Sequence, residues 1–307
     1  MAQEIQRPFV GFAYALTATL LWGLLPIALH QVLQAMDAET TVWYRFIVTA
    51  VSLFIFLAIK RKLPALKHLH RRDWLFVLLG IMGLTLNFFL YNLSLQYIPA
   101  TASQILSPIG SFVMMSVGVL LFKDKFGRHQ KIGLVSLLGG LVLFFNDRVE
   151  DFLQLNTYFV GVVLMIIATS TWVFYGIAQK MLGRRFQTQE ILLFICTGSA
   201  VLCWLVSAPG QITRLNGFQL GCLIFCCANT VIAYGCYGES LKYWEVSKSS
   251  VVMTQIPVFT MLFSVLLSYF LPDYFAVQPL NWISYLGAFF VVAGALFAAI
   301  GYKFIKR

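Results

Sequence analysis

Apolar residues fill this chain in long runs that short polar stretches separate. Ten of these runs have roughly 17 to 25 residues, the length that an α-helix needs to cross a bilayer. The pattern predicts an all-α integral membrane protein, and we interpret the first run as a retained helix and not as a signal peptide. The ten predicted transmembrane helices have the approximate limits 10–31, 40–59, 74–95, 100–122, 129–145, 157–180, 188–208, 218–241, 248–270 and 281–302.

A repeated order of residues divides the chain into two halves. The pattern Y-x-x-S-L-x-Y begins at Tyr91 and again at Tyr237, 146 residues later. Each copy is followed by a proline and an aspartate sixteen positions apart and then by a Gly-x6-Gly pair: Pro108, Asp124, Gly133 and Gly140 in the first half, Pro257, Asp273, Gly287 and Gly294 in the second. The shared order predicts an internal duplication, with repeats at 1–146 and 157–307 and a linker at 147–156.

Basic residues predict how the helices are oriented. Of the 22 Lys and Arg residues, 19 fall in alternate loops on one side, Arg148 and Arg214 fall on the other, and Arg45 lies within a span. Because basic loops stay in the cytoplasm, both the N and the C terminus are predicted to be cytoplasmic. Five helices per repeat is an odd number, so the second repeat would enter the membrane inverted. In such proteins the substrate binds near the midplane between the halves.

Composition excludes several classes of function. The chain is 60% hydrophobic and only 11% charged, which a water-soluble domain would not be. The net charge of +10 is explained by the basic loops, so we expect no nucleic-acid partner. The six cysteines lie in apolar segments, and we interpret them as small buried residues and not as a disulfide or metal site. Metalloprotease, phosphate-loop and dinucleotide motifs are absent from the sequence, so we predict neither an enzyme nor a cofactor.

Polar and aromatic residues inside the spans are the candidates for a binding site, because burying polar groups in lipid is costly. Taken singly, each could instead form a hydrogen bond between packed helices, whereas the set predicts the lining of a cavity. The candidates for substrate binding are Trp22, Arg45, Asn87, Ser107, Trp172, Asn229, Thr230 and Gln255. Pro26, Pro108 and Pro257 are predicted to interrupt three helices, either beside a binding site or as simple packing kinks.

Two charged residues within the spans have two interpretations each. Arg45 could contact a substrate anion or carboxylate, or it could snorkel to the outer surface or bond to a carbonyl. Glu239 is the candidate for a proton-coupling carboxylate, and its alternative is a structural pair with Lys242 three residues later.

Several short segments resemble the EamA group of the drug/metabolite transporter superfamily. They are residues 22–26 (WGLLP), residues 43–46 (WYRF), Asn229 with Thr230, and the two glycine pairs of the repeat. Where the family often has Glu after a proline in helices 4 and 9, this chain has Asp124 and Asp273. The resemblance covers almost the whole chain and implies a bacterial inner-membrane carrier, often an exporter of amino acids, related metabolites or toxic compounds.

Repeat, orientation and resemblance together predict a secondary active transporter of the inner membrane. It would export a small metabolite, such as an amino acid or a related compound, by alternating access. Its partners would be this substrate and the lipid bilayer, with protons as the candidate coupling ion, and it would be a monomer or a homodimer. The alternative is a non-transporting scaffold or sensor built on the same bundle. A large central cavity would favour transport, and a solid core would favour the scaffold.

Overall fold

The computed structural model describes residues 7–64, 70–122, 127–244, 246–275 and 279–301, which are helical and contain no strand. Asp124 and the side chain of Lys242 lie outside the part of the chain that is described. The α-helices are α1 (Pro8–Val32), α2 (Ala38–Ile59), α3 (Arg71–Ser94), α4 (Ala100–Leu106), α5 (Pro108–Phe122), α6 (Arg128–Phe144), α7 (Val149–Leu153), α8 (Thr157–Leu182), α9 (Thr188–Trp204), α10 (Gly217–Tyr243), α11 (Val246–Met253), α12 (Ile256–Phe270) and α13 (Trp282–Ile300).

Eight helical spans in the described residues are long and apolar enough to cross a membrane. A ninth results if α6 is joined to the segment Asn146–Leu153, although the two are bent by 52°. α9 has 17 residues and falls short of the roughly 20 that a full crossing needs. Every predicted run therefore contains a helix, whereas the count of ten crossings and the cytoplasmic position of the termini stay predictions.

Polar residues explain where several of the helices begin. Asp37, Asn216 and Asn281 precede α2, α10 and α13, and each accepts a hydrogen bond of 2.8 Å from the backbone N–H three residues later. Such a bond satisfies one of the N–H groups that have no partner in the first turn of a helix. The caps thereby fix the ends of three helices that contribute to the centre of the molecule.

Helices of the two halves pack in matching pairs. α1 packs on α10 and α3 packs on α8, so the first helix of each half contacts the third helix of the other. α2 packs on α9 and α6 packs on α13, so the second and fifth helices contact their own counterparts. A two-fold relation between repeats produces this exchange of partners.

Glycines bring α6 and α13 into backbone contact. A Cβ atom added at Gly140 would lie 2.6 Å from the N atom of Val291, and one added at Gly133 would lie 2.5 Å from the O atom of Gly294. The relation is reciprocal, because a Cβ atom at Gly287 would lie 2.6 Å from the O atom of Gly140. The glycine pairs that mark the repeat therefore form the contact between the two fifth helices.

The fourth helix of each half is broken near its middle. α4 ends at Leu106 and α5 begins at Pro108, while α11 ends at Met253 and α12 begins at Ile256, directly before Pro257. Proline has no N–H group and cannot continue the hydrogen bonds of the preceding turn. Each break therefore lies beside a proline. Because these two prolines are matching positions of the repeat, the breaks lie at corresponding places in the two halves.

The predicted interruption of the first helix at Pro26 is wrong, because α1 runs without a break over Pro8–Val32. Pro26 cannot donate to the carbonyl of Trp22, four residues earlier. The Nε2 atom of Gln104 donates to that oxygen at 3.4 Å instead. A neighbouring helix thus supplies the donor that lets a proline remain inside a continuous membrane helix.

Candidate functional site

A cavity of about 450 Å³ lies between the two halves. Its wall is built from α1 to α5 of the first half and from α8 and α10 to α13 of the second. Both helix breaks face it, since Ser107, Pro108, Thr254 and Pro257 are in its lining. Its volume falls within the range of about 300 to 1,000 Å³ that small-molecule sites occupy in proteins.

Most of the predicted substrate-binding residues lie at this cavity. Its lining contains Trp22, Arg45, Asn87, Ser107 and Trp172. The structure places the remaining candidates elsewhere: Asn229, Thr230, Gln255, Glu239 and Pro26 are outside the lining. Asn229 and Thr230 are each only 1% exposed, because both side chains are enclosed between packed helices.

Arg45 is buried, with 2% of its surface exposed, although it carries a full charge. Its Nε atom donates to the Oγ1 atom of Thr230 at 3.1 Å, and its Cζ atom lies 4.2 Å from the centre of the Phe88 ring. No carboxylate pairs with this guanidinium among the residues that the structure describes. The side chain lies at the cavity wall and does not snorkel to the outer surface, which was one of the two alternative interpretations.

Aromatic rings form much of the cavity wall. The ring of Tyr234 lies 5.3 Å from that of Trp22, 6.4 Å from that of Phe88 and 6.1 Å from that of Tyr175. Trp172 also lines the cavity and lies 6.2 Å from Tyr175, which is itself not part of the lining. Ring pairs at such distances attract each other beyond the effect of burial alone. The wall therefore presents flat apolar surface to anything that enters the cavity.

Two asparagines link the halves beside the cavity. The Nδ2 atom of Asn87 donates to the carbonyl of Ala168 at 2.7 Å, which joins α3 to α8. The Nδ2 atom of Asn229 donates to the carbonyl of Leu21 at 2.6 Å, which joins α10 to α1. Asn87 combines this bond with a place in the lining. Asn229 makes the interhelical bond that was the alternative interpretation of the polar candidates.

Several polar residues of the lining were not among the candidates predicted from the sequence, and they include Tyr91, Gln104 and Tyr237. The Nε2 atom of Gln104 donates to the hydroxyl of Tyr91 at 3.1 Å. Tyr91 and Tyr237 are the first residues of the two copies of the repeated pattern. That repetition could have predicted both tyrosines as lining residues, because matching positions of two repeats that meet at an axis both face the centre.

Gln255 and Glu239 are not lining residues themselves. The Nε2 atom of Gln255 donates to the Oγ1 atom of Thr254 at 3.3 Å, so Gln255 is one residue removed from a lining position. An Oε1 atom of Glu239 accepts a hydrogen bond from the Nε2 atom of Gln189 at 3.2 Å, which joins α10 to α9. The alternative pairing of Glu239 with Lys242 falls on a side chain outside the described part.

The sequence matches the EamA-like transporter family over residues 9–146 and again over residues 159–300. The chain belongs to the EamA-like transporter family. The two matched segments are the two halves whose helices exchange partners, so the family's repeat is the unit that encloses the cavity.

Relatives of this EamA-like transporter are named as transporters, and they align with it over almost their whole length. An uncharacterized transporter of Haemophilus influenzae is 49% identical over 302 residues, which cover 98% of each chain. The uncharacterized inner membrane transporter YhbE of Escherichia coli is 42% identical over 300 residues, which cover 97% of this chain and 94% of YhbE. The family match, the apolar helices and the similarity to YhbE identify a multi-pass transporter of the bacterial inner membrane.

A solved crystal structure shares the fold of this chain. The two superpose with a TM-score of 0.68, and the alignment covers 97% of this chain and 98% of the other. The sequence identity is 18%, so this likeness shows the arrangement of helices and no more.

Proposed function

We propose that this EamA-like transporter is a secondary carrier that exports a small metabolite by alternating access, with the substrate bound in the cavity between the halves. The observation that carries the proposal is the guanidinium of Arg45 in a cavity that both repeats enclose. A buried charge without a carboxylate partner is costly inside a membrane, and a bound ligand would compensate it. Secondary carriers bind their substrates in this position, between the repeats.

The two repeats, with the proposed limits 1–146 and 157–307 and the linker 147–156, would be the moving parts. Polar contacts join them at opposite ends of the bundle. At the start of α2 the Oγ1 atom of Thr40 accepts a hydrogen bond from the N atom of Ala208 at 2.9 Å. At the start of α3 Asp73 forms a 2.5 Å ion pair with Arg185. Release of one set of contacts at a time would open the cavity to one side at a time.

Accumulation of a substrate against its gradient requires a source of free energy such as a coupling ion, and Glu239 is the candidate for carrying protons. Glu239 lies on α10 outside the cavity lining, and it accepts a hydrogen bond from Gln189 on α9. We expect Glu239→Gln to abolish proton-driven transport but to leave substrate exchange intact, because exchange needs no coupling ion. Proton-driven flux at the wild-type rate in this variant would exclude the coupling role and leave Glu239 as a structural link to α9.

Counterflow in proteoliposomes tests transport against the alternative of a scaffold or sensor. Vesicles are preloaded with one unlabelled metabolite at a time and take up the labelled compound from outside. A carrier exchanges at least one compound faster than protein-free vesicles do. A scaffold exchanges none, and that outcome across a broad panel of amino acids, organic acids and amines would remove the proposal.

A further inference from the structure

The charge on the described part of the cavity wall is unbalanced. Arg45 is the only lining residue, among those described, that carries a full charge. The polar neighbours Asn87, Gln104, Ser107 and Thr169 are all neutral. A compound that enters the cavity therefore meets one positive charge and no described carboxylate.

Contacts with the protein orient the guanidinium of Arg45, but they occupy only part of its N–H donors. Thr230 binds its Nε atom, and the ring of Phe88 lies against its Cζ atom. Its two terminal nitrogens have no hydrogen bond to a described residue. An arginine in this state can still offer parallel N–H donors to the two oxygens of a carboxylate.

The same wall is a poor site for an ammonium group. Among the described lining residues its partners would be neutral oxygens, such as the hydroxyls of Ser107 and Thr254, and the faces of aromatic rings. None of these carries the negative charge that would balance an ammonium group. The ammonium would also share a cavity of about 450 Å³ with the like charge of Arg45. Repulsion between two such charges is stronger in a cavity that water does not fill freely than in solution, because the effective dielectric constant is lower there.

The rest of the substrate must fit an aromatic surface. Trp22, Phe88, Trp172 and Tyr234 all contribute rings to the lining. Large flat side chains favour apolar or aromatic bodies over small, strongly hydrated ones.

From the charge pattern and the aromatic wall we infer that the substrate is an organic monoanion, which has a carboxylate on an apolar body about as large as an aromatic ring and has no ammonium group. The inference rests on the proposed function, since it takes this cavity as the transport site. It departs from the amino acids that the family resemblance implies, because an α-amino acid brings both charges into the cavity.

Three ligands with the same phenyl body separate the two charges. 3-Phenylpropionate carries the carboxylate alone, phenethylamine the ammonium alone, and phenylalanine both. Binding to the purified wild-type chain is followed by quenching of tryptophan fluorescence, because Trp22 and Trp172 line the cavity. We expect 3-phenylpropionate to bind about tenfold or more tightly than phenylalanine, and phenethylamine not to bind. The series is repeated with 4-methylpentanoate, leucine and isoamylamine, whose shared body is aliphatic.

The result that would overturn the inference is binding of phenylalanine or leucine as tight as that of its carboxylate analogue. Failure of both carboxylates to bind would overturn it as well. Arg45→Lys should weaken carboxylate binding by about tenfold or more, because lysine cannot form two parallel bonds. Arg214→Lys, at an exposed loop position, is the matched control and should bind like wild type. If Arg45→Lys does not fold, the ligand series on the wild-type chain still decides.

Counterflow with the same six compounds separates this inference from the proposed function. Exchange of the carboxylates supports both. Exchange of phenylalanine or leucine without the carboxylates would leave the transporter standing and remove the monoanion. Exchange of none of these, nor of any compound in the broader panel, would remove both.

Discussion

At the scale of single residues, Thr230 orients Arg45, because its Oγ1 atom accepts the hydrogen bond from Nε. Thr230→Val removes this acceptor at nearly constant volume, whereas Thr230→Ser keeps it. Without the bond the guanidinium is no longer held toward a ligand, so we expect carboxylate affinity to fall about tenfold in the valine variant and less than about twofold in the serine variant. The fluorescence titration with 3-phenylpropionate measures both. Equal affinities in the two variants would mean that Thr230 does not position Arg45.

Part of the cavity wall could be predicted from single residues, and part could not. Trp22, Arg45 and Asn87 stand out because each is unusual within an apolar span. Asn229 and Thr230 share that property but face other helices. Lipid covers one side of such a helix and apolar neighbours cover the other, so the hydrophobic pattern does not fix the helix rotation. Only the packing of the two halves decides which polar side chain meets the cavity.

At the scale of helices, the contact between α6 and α13 depends on positions without a side chain. Gly140→Ala would place a Cβ atom 2.6 Å from the backbone N atom of Val291, whereas nothing lies within 4 Å of a Cβ atom at the adjacent Gly139. Because a backbone atom cannot rotate away, the helices must separate, and we expect Gly140→Ala to destabilise the fold by about 1–3 kcal/mol. Gly139→Ala is the control and should keep or slightly raise the Tm.

Thermal unfolding in detergent measures the two glycine variants side by side. We expect a lower Tm for Gly140→Ala than for Gly139→Ala. Identical unfolding curves would contradict the backbone contact between α6 and α13.

Helix boundaries could be predicted where a local cause sets them. Pro108 and Pro257 break their helices because each removes a backbone donor, and Asp37 marks the start of α2 because it caps it. Pro26 removes a donor in the same way, yet α1 continues. The difference is tertiary, because Gln104 from α4 donates to the carbonyl that Pro26 leaves free. The sequence of α1 contains no sign of that partner.

At the scale of the whole molecule, the basic loops predict which ends of the helices face the cytoplasm. Reporter fusions after Lys62 and Arg185 should give a cytoplasmic signal, and fusions near Asp147 and Asp273 should give an outer-side signal. The reason is the placement of 19 of the 22 basic residues in alternate loops. A cytoplasmic signal at Asp147 would exclude five crossings in the first repeat and, with them, the inverted relation of the repeats.

The repeat in the sequence predicted that two halves would meet, and the structure adds how they meet. Pairing of the first helix with the third of the other half places Trp22 near Tyr234 and Asn87 against α8. These contacts join residues that are far apart in the chain. Spacing within one span therefore could not predict them, nor the cavity that they surround.

Alternating access requires that the cavity open to each side of the membrane in turn. Ser111 lines the cavity, so Ser111→Cys places a single thiol there in a background whose six native cysteines are replaced by alanine. Two exposed loop positions on opposite predicted sides serve as controls, Leu63→Cys for the cytoplasmic side and Gly210→Cys for the outer side. A membrane-impermeant thiol reagent is applied to right-side-out and to inside-out vesicles. Each control should react from one side only.

Labelling of Ser111→Cys from both sides, at a rate that a bound substrate lowers, is the result that alternating access through this cavity predicts. Labelling from one side only, in vesicles in which both controls react as expected, would show a cavity that never changes the side it faces and would contradict the account.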